Sequence, residues 1–508
     1  MTEEFNLDKL RKETEEKDGL VFPSRTYSET ILAPMYNDVK ENMLEYMHRA
    51  NKAHLIMLYE EGIISQADAL AIKDALSNLS LDDFKERTYT GEFEDLFFEV
   101  EASLIKLGGN AVGNLHIARS RNDLGVALYR LALRDRLLEL IKEAAAFQKT
   151  LAAFAMAHVD TFMIAHTHGQ QAQPSTLGHY ITGATFVLGR DIDRLKSAFN
   201  TVNRSSMGAA AITTSGFPVN RETMRKLLGF DKVIENSYDS IGGGDYIGEA
   251  ATAIHLSCIN LSRLVSDLLL WATNEFGYLK AAPPYIQISS IMPQKRNPVS
   301  IEHSRSILSS ASGDCMSLLN MLHNTPYGDI VDTEDDSQPA LWRALSKLNG
   351  IYRLLTNVIA TMEVDKGQME KRASESYSVI TELADTLVRE ESVSFRQAHT
   401  VAHNLVSHCL KNNIPLSCVE VSMINDIFKG LFGKDMSASP EIITKSLCYK
   451  NFVAVRKVRG GPEKNELIRS LKESVFTQVN ENIEWEKAKT QAIEESIKGL
   501  DHSFISIN

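Results

Sequence analysis

The sequence predicts an all-α protein built around a long helical bundle, and two observations support this. First, strand-like alternation is scarce, and the 508 residues include only 13 prolines, so few positions force a helix to end. Second, residues 126–158 contain neither Pro nor Gly, and their apolar positions recur mostly at spacings of three and four, as one buried helix face requires. At 1.5 Å per residue, this stretch predicts a helix of about 50 Å.

Two further long helices are predicted over residues 177–202 and 246–279. The second of these is apolar on several sides, so it must be buried on more than one side, at the centre of a bundle or of an oligomer. Short Gly- and Ser-rich breaks separate the helices, and beyond residue 371 the helical segments shorten and become more charged. The predicted domains are therefore an N-terminal helical domain (1–113), a central long-helix bundle (114–371) and a small C-terminal helical domain (372–508).

Composition excludes several classes of protein. The net charge is −12, which disfavours a nucleic-acid partner because phosphate backbones require a clustered basic surface. The most apolar stretch, residues 261–273, is broken by Arg263 and Asp267, so no membrane span is expected. The N-terminus lacks the apolar segment of a secretory signal. The five cysteines are scattered without a C-x-x-C pair, which favours a reduced, cytoplasmic setting over a disulfide framework or a zinc site.

The first break that could carry chemistry is Ser120-Arg121-Asn122-Asp123, just ahead of the longest predicted helix. A hydroxyl, a guanidinium and an amide at a helix N-terminus form a natural carboxylate site, because the free N–H groups and the helix dipole also favour anions. A helix start capped by Asp123 would show the same residues. From the residues alone, both interpretations remain open.

The second break is the run His166–Pro174, which is rich in His, Thr and Gln. A metal site is a poor interpretation, because His166 and His168 are two residues apart with no Cys, Asp or Glu beside them. A histidine that acts as a general acid or base fits better, with a plain polar loop as the alternative. Another histidine pair, His399 and His403, lacks the Glu of a zinc-binding helix and is interpreted as a helix face.

The third break is the run Ser289–Pro298, which combines hydroxyls, two cations and an amide around two prolines. Such a composition suggests a mobile loop that closes on an anionic substrate. A structural turn ahead of the next helix is the alternative. A nucleotide site is disfavoured, because the chain has no Gly-x4-Gly-Lys-Ser/Thr pattern.

Together the three runs resemble the fumarase/aspartase superfamily and, within it, the argininosuccinate lyase family. The signature G-S-S-x-M-P-x-K-x-N-P is matched by residues 288–298, which read ISSIMPQKRNP, with Gln294 as in the argininosuccinate lyase form. The runs Ser120–Asp123 and Thr167–Pro174 match the same branch. Weaker matches extend the resemblance, in the right order, over residues 50–410.

The resemblance implies an enzyme that eliminates fumarate from an N-succinyl amino acid, such as argininosuccinate, after a general base removes the Cβ proton. It implies that Ser289 is this base and that Lys295 favours its alkoxide. It also implies that His168, oriented by Glu302, protonates or positions the leaving nitrogen. The implied substrate-binding residues are Ser120, Arg121, Asn122, Thr167, Asn297 and Tyr327.

The same resemblance implies the assembly. The fold would be a fumarase/aspartase-like bundle whose copies form the twenty-helix core of a homotetramer, with each active site drawing on three subunits. The implied partner is a small dicarboxylate substrate, and neither a metal nor an organic cofactor is implied. The helices that are apolar on several sides agree independently with such a core.

The chain departs from the family's pattern mainly where the leaving group would bind. Ile288 replaces the Gly before the paired serines, Phe97 replaces a His, and Gly244 replaces an Arg. After Tyr327, where the family has a Gln and a Lys that hold the arginine end of the substrate, this chain has the acidic run Asp329–Asp336. A carboxylate at the lysine position would repel an amino-acid carboxylate and attract an amine, although a solvated acidic loop remains the alternative.

Three functions therefore remain open: cleavage of argininosuccinate, cleavage of another succinylated amine or thiol by a paralogue, and a non-catalytic role like that of a lens crystallin. Retention of Ser289, His168, Lys295, Asn297 and Glu302 together disfavours the non-catalytic role. An adenylosuccinate lyase is disfavoured because all three runs have the argininosuccinate form.

Overall fold

The computed structural model describes residues 6–508, and 71% of the structure is helical, which confirms the predicted all-α fold. The N-terminal helices are α1 (Leu7–Asp18), α2 (Arg25–Tyr27), α3 (Ala33–Glu60), α4 (Gln66–Asn78), α5 (Leu81–Glu86) and α6 (Leu96–Gly108). The central helices are α7 (Arg121–Ala157), α8 (Leu177–Val202), α9 (Arg221–Leu227), α10 (Ser237–Gly242), α11 (Asp245–Trp271), α12 (Val299–Leu322) and α13 (Gln338–Thr361). The remaining helices are α14 (Lys366–Glu375), α15 (Ile380–Glu391), α16 (Phe395–Lys411), α17 (Val421–Phe432), α18 (Pro440–Ser446), α19 (Tyr449–Ala454), α20 (Lys464–Ser470) and α21 (Phe476–Ile505).

The strands are short and pair two by two. The antiparallel pairs are β1 (Phe162–Thr167) with β2 (Gln170–Thr176), β5 (Leu279–Lys280) with β8 (Glu363–Val364), and β6 (Gln287–Ile288) with β7 (Arg296–Asn297). The parallel pair is β3 (Arg204–Ser205) with β4 (Lys232–Val233). Two of the antiparallel pairs, β1–β2 and β6–β7, are hairpins that carry the second and third chemical runs of the sequence.

Five long helices form a closed ring in which each packs on two neighbours: α7 on α8, α8 on α11, α11 on α12, α12 on α13, and α13 on α7. Neighbouring helices of the ring that are connected through a β-hairpin are antiparallel to each other. For example, the N–H of Gly178 at the start of α8 donates to the carbonyl of His158, just after the end of α7. The ring therefore has two ends, and chain segments that carry the candidate residues emerge at both.

Helix α7 is unusually long because nothing in its 37 residues interrupts it. It contains no Pro and a single Gly, Gly125, near its start. It is also buried on more than one side, because α8, α13, α3 and α21 all pack against it. Its apolar residues Leu133, Leu137 and Ile141 are fully buried, so packing of these side chains stabilises the helix far beyond its intrinsic propensity.

Within residues 6–508, one helix, α11, is long and apolar enough by length and composition to cross a membrane. Its position accounts for that composition, because α8 and α12 flank it in the ring. Ile254, Cys258 and Val265 are fully buried there, as expected for a core helix.

The apolar core falls into one large cluster, a smaller one over residues 383–443, and a third that consists of Val379, Leu416 and Phe452. The final helix, α21, contributes Val479, Leu500 and Phe504 to the large cluster rather than to the smaller one. Residues 372–508 were predicted to form one domain because their composition is charged. In α21, many of these charged side chains lie on the exposed face of the helix. The division into three domains stays a prediction, but the packing assigns α21 to the large core.

The predicted long helices correspond to α7, α8 and α11. The prediction over 177–202 coincides with α8, whereas the prediction over 246–279 is too long, since α11 ends at Trp271. The chain turns there because Gly277 adopts a left-handed conformation with φ of 64°, which glycine tolerates at little cost. Leu279 and Lys280 then form β5.

Candidate active site

The run Ser120–Asp123 forms the capped N-terminus of α7. The Ser120 hydroxyl accepts a hydrogen bond from the Asn122 N–H at 3.3 Å and donates to the Asn122 side-chain oxygen at 2.6 Å. The Asp123 carboxylate accepts from the Ser120 N–H at 2.9 Å, which completes a reciprocal cap. The cap residue is thus Ser120 rather than Asp123, as expected for a short hydroxyl with extended backbone.

Asp123 connects the N-terminus of α7 to the segment around Gly208 through buried hydrogen bonds. Its side chain is fully buried, and its other oxygen accepts from the Gly208 N–H at 2.8 Å. The Ser206 hydroxyl donates to the Asp123 carbonyl at 2.8 Å. Burial raises the pKa of Asp123 to about 6, against the opposing effect of these backbone donors. No local pattern predicts this connection, because residues 123 and 208 are 85 positions apart in the chain.

Arg121 lies outside the cap and is already paired. One guanidinium nitrogen is 2.8 Å from an Asp95 carboxylate oxygen and 3.2 Å from Glu94. The guanidinium also lies over the Phe98 ring, 4.7 Å from its centroid. Burial acts to lower the pKa of Arg121, but the hydrogen bonds that it donates to Asp95 and Glu94 outweigh burial and raise its pKa. A bound carboxylate at this position would therefore compete with two acidic side chains of the same chain.

Arg121 and Asn122 open onto a cavity of about 300 Å³ between the start of α7, helix α3 and the acidic run after Tyr327. Much of its wall is apolar, with Leu32, Met35, Tyr36, Val39, Met43, Met47, Leu96, Phe97, Leu124, Leu128, Tyr129 and Val331. Its carboxylates are Glu94, Asp95, Asp329, Glu334 and Asp335. The site is thus strongly acidic, with Arg121 as its one lining cation among the described residues.

Part of the acidic run Asp329–Asp336 is partly buried and contacts α7 rather than being fully solvated. The Tyr129 hydroxyl, from the third turn of α7, donates to an Asp335 oxygen at 2.5 Å. Glu334 is half-buried. Burial, and next the neighbouring Asp329 carboxyl, raise the pKa of Glu334. The alternative of a solvated acidic loop is therefore wrong for Glu334 and Asp335. Tyr129 lies within the predicted helix 126–158, where the apolar spacing indicated a buried face and no contact with the acidic run.

Tyr327 lies at the same end of the ring but has a different partner. Its exposed hydroxyl donates to an Asp239 oxygen at 3.0 Å, and its ring stacks on Tyr238 with centroids 5.7 Å apart. The ring also packs beside Gly242, where a Cβ would lie 3.3 Å from the Tyr327 ring. The structure thus brings Tyr327 to the end of the bundle that carries Ser120, Arg121 and Asn122.

Thr167 and His168 lie at the tip of the β1–β2 hairpin, where both side chains are exposed. His168 has a positive φ of 52°, and Gly169 follows with φ of 74°, so the chain reverses direction over these two residues. The tight turn of a two-residue hairpin requires positive φ at both central residues, which accounts for the conformation of His168. The sequence analysis expected a loop here, and the structure forms a hairpin instead.

Ser289 begins the loop between β6 and β7. Its hydroxyl oxygen accepts hydrogen bonds from the N–H groups of Met292 at 3.1 Å and Ile291 at 3.3 Å. The same loop carries the exposed Lys295, and the half-buried Asn297 ends β7. Glu302 is exposed in the first turn of α12. Two backbone donors on one hydroxyl oxygen are an arrangement that stabilises negative charge on that oxygen.

Within one chain, the candidate residues form two groups at opposite ends of the ring. Helix α7 has 37 residues between Ser120 and the β1–β2 hairpin, a separation of about 55 Å. Helix α12 has 24 residues between the Ser289 loop and Tyr327, about 36 Å. One chain therefore does not bring Ser120 and Tyr327 together with His168 and Ser289. The predicted contact between His168 and Glu302 stays a prediction, and both side chains are exposed in one chain.

Across residues 6–508, no group of three or more His, Cys, Asp or Glu side chains is arranged to hold a metal ion. The acidic cavity does not form such a group, because its carboxylates pair with Arg121, Tyr129 and one another.

A closed ring of long helices with these three polar segments at its ends defines a lyase of the fumarase/aspartase type. A lyase family model matches residues 40–313, and the model described as argininosuccinate lyase C-terminal matches residues 377–453. Argininosuccinate lyase 2 of Agrobacterium fabrum is 39% identical over 453 residues, which cover 88% of this chain and 89% of the relative. Argininosuccinate lyase 1 of Shouchella clausii is 32% identical, with 95% and 96% covered.

Among solved structures, EDDS lyase in complex with formate superimposes with a TM-score of 0.85 at 29% identity, with 92% of each chain covered. A class II fumarase from Schistosoma mansoni has a TM-score of 0.64 at 14% identity, with 83% of this chain and 95% of the fumarase covered, and shares the fold alone. The chain belongs to the argininosuccinate lyase family, which confirms the resemblance. It is a carbon–nitrogen lyase that eliminates fumarate from N-succinyl compounds.

Proposed function

We propose that this enzyme cleaves argininosuccinate or a closely related N-substituted aspartate, with Ser289 as the base that removes the Cβ proton. The observation that carries this assignment is the pair of N–H groups, from Ile291 and Met292, that point at the Ser289 oxygen. A serine is too weak a base unless its alkoxide is stabilised, and these two donors, with Lys295 on the same loop, provide that stabilisation.

In the proposed reaction, the Ser289 alkoxide takes the proton from Cβ, and the electron pair delocalises into the neighbouring carboxylate. The C–N bond then breaks, its electrons go to the departing nitrogen, and His168, oriented by Glu302, supplies the proton to that nitrogen. Fumarate and a free amine remain. The donors assigned to the doubly negative carboxylate are Ser120, Asn122, Thr167, Lys295 and Asn297, with Arg121 once it leaves its acidic partners.

We also propose a homotetramer with shared active sites. Four copies of the five-helix ring would give a core of twenty helices. The exposed Ile259 and Leu270 of α11 would be covered in such a core. Assembly is necessary for catalysis, because about 36–55 Å of helix separates the two groups of candidate residues within a chain. An end of one ring must therefore meet the opposite end of another.

A cytoplasmic location belongs to the same proposal. All five cysteines are unpaired, with Cys258, Cys315 and Cys409 buried. Unpaired buried thiols fit a reducing compartment.

A second candidate is a paralogue that cleaves another succinylated amine or thiol. The specific observation in its favour is the acidic wall formed by Asp329, Glu334 and Asp335, where the family carries a lysine. The similarity to EDDS lyase, whose name is not that of an argininosuccinate lyase, also supports it.

The test is fumarate absorbance during incubation of the purified enzyme with argininosuccinate and a panel of N-substituted aspartates and a succinyl thioether. Ser289→Ala should lower turnover by at least about a thousandfold with unchanged helix content, because loss of the base leaves only binding and the carboxylate donors. Ser422→Ala, which removes an exposed hydroxyl on α17, is the matched control. Full activity of Ser289→Ala would refute the assigned base, and no fumarate from any compound would refute the proposed substrates.

A further inference from the structure

Arg221, the first residue of α9, links two segments that carry candidate residues, although its side chain does not line the cavity beside Arg121. Its Nε donates to the Met207 carbonyl at 3.1 Å, and its Nη2 donates to the Ser240 hydroxyl oxygen at 3.0 Å. Met207 and Ser240 are fully buried, whereas Arg221 is half-buried. Because a guanidinium holds its N–H donors in one rigid plane, Arg221 fixes these two segments relative to each other.

The first of these segments leads to the start of α7. The Gly208 N–H donates to Asp123 at 2.8 Å, and Asp123 also accepts the Ser120 N–H that closes the cap. Arg221 packs closely on this segment, because a Cβ at Gly208 would lie 2.7 Å from the Arg221 Cγ. Burial lowers the pKa of Arg221, and the nearby Asp123 charge opposes that effect. A shift of Arg221 would therefore change the position of Ser120 at the proposed substrate-binding end of α7.

The second segment is α10, which carries the hydrogen-bond partner of Tyr327. The Ser240 hydroxyl donates to the Asn236 carbonyl at 3.1 Å while it accepts from Arg221, so its orientation is fixed. Asp239, the residue before Ser240, accepts from the Tyr327 hydroxyl at 3.0 Å. Displacement of α10 would therefore move Tyr327 relative to the start of α7.

On the basis of the function proposed above, we propose that Arg221 is a positioning residue for the elimination, which holds Tyr327 in place relative to the Ser120–Asp123 run. Ser120 and Asn122 are assigned to a carboxylate that becomes doubly negative only as the Cβ proton leaves. Their displacement therefore raises the energy of the transition state more than that of the bound substrate. Arg221 touches neither the substrate nor the reacting atoms, and it acts only through the residues that it holds.

The kinetic test removes the guanidinium and keeps the apolar stem. In Arg221→Met we expect kcat to fall at least about tenfold, with KM changed by less than about threefold. Arg221→Lys keeps the charge and one donor group, and should recover at least about threefold of the lost kcat. The matched control is Arg225→Met, one turn further along α9, because Arg225 is also half-buried but donates to the Phe230 carbonyl and to Glu222. Its kcat should stay within about twofold of the wild type.

Ser240→Ala tests the same link without removing a charge. It should lower kcat at least about threefold, and the double variant with Arg221→Met should be no slower than Arg221→Met alone, because both changes cut one connection. Circular dichroism and urea unfolding show that each variant is folded. A merely structural role would lower the free energy of unfolding and leave kcat of the folded enzyme intact. That result, a loss in Arg225→Met equal to that in Arg221→Met, or additive losses in the double variant would overturn the proposal.

Fumarate binding separates this proposal from the proposed function. In calorimetry, Arg221→Met should bind fumarate up to about threefold more weakly than the wild type, and Arg225→Met should bind it equally well. If the wild type releases fumarate from no substrate, the proposed function fails, whereas weaker fumarate binding by Arg221→Met alone would still support the positioning role. Normal kcat in Arg221→Met beside lost activity in Ser289→Ala would overturn the positioning role alone. No fumarate binding by the wild type would overturn both.

Discussion

The substitution Asp123→Ala should destabilise the protein by removing the buried connection between the start of α7 and the segment around Gly208. Asp123 accepts from the Ser120 N–H at 2.9 Å and the Gly208 N–H at 2.8 Å, and its side chain is fully buried. Each buried N–H group left without an acceptor costs about 1–3 kcal/mol. We therefore expect Asp123→Ala to lower the free energy of unfolding by about 2–6 kcal/mol near pH 7.

The matched control is Asp123→Asn, which keeps one carbonyl oxygen and can satisfy one of the two N–H groups. We expect Asp123→Asn to lower the free energy of unfolding about half as much as Asp123→Ala, by roughly 1–3 kcal/mol. The assay is urea unfolding followed by circular dichroism at one fixed protein concentration. A loss below about 1 kcal/mol for Asp123→Ala, or equal losses for the two variants, would refute the reasoning.

The same carboxyl gives a pH dependence of defined sign. Burial raises the pKa of Asp123 from 3.8 to about 6, so the folded protein holds this proton after the unfolded chain has released it. The free energy of unfolding is therefore higher by about 3 kcal/mol below pH 4, where the carboxyl is protonated, and only this increment is lost as the pH rises through 6. The hydrogen bonds from Ser120 and Gly208 remain at pH 7. In Asp123→Asn this loss should be absent. Identical pH profiles for the wild type and Asp123→Asn would contradict the assigned burial.

Two further predictions concern packing. Gly178→Ala should destabilise the protein by at least about 1–3 kcal/mol in the same urea assay, because a Cβ there would lie 2.6 Å from the Ala155 carbonyl oxygen. Gly183→Ala, where a Cβ meets nothing within 4 Å, should stabilise by up to about 1 kcal/mol because alanine favours the helix interior, and equal effects of the two would count against the clash. Deletion from Phe476 onward should give an aggregated or unfolded chain in size-exclusion chromatography, because α21 contributes to the large core, and a folded product would contradict its assignment to that core.

Much of the fold could be predicted because the long helices are encoded locally. The spacing of apolar residues between 126 and 158 and the absence of Pro from the segment are properties of consecutive residues, and they predicted α7 within a few residues. The end of α11 was missed because Leu279 continues the apolar pattern, whereas the chain turns at Gly277 and pairs with Val364 in β8. That pairing depends on a residue 85 positions away, which no local pattern contains.

The candidate site was less predictable, because its chemistry depends on contacts between distant segments. The motifs located the Ser289 loop, but not the two N–H groups that point at its hydroxyl. The acidic run was visible in the sequence, but its burial was not, since that depends on Tyr129 in another helix. The predicted roles of Ser289, His168, Lys295 and Glu302 stay predictions, because a single chain carries them away from Ser120 and Tyr327.

The length of α7 has a genetic consequence. In the homotetramer proposed above, each chain would supply its Ser120 end to one shared site and its His168 end to a different one, so damage at either end would be confined to the sites that use it. Two inactive variants, Ser120→Ala and His168→Ala, should restore activity when they are mixed and reassembled. With random assembly of equal amounts, about a quarter of the sites would combine an intact Ser120 with an intact His168. Strains that carry one allele of each kind would then grow where either allele alone fails.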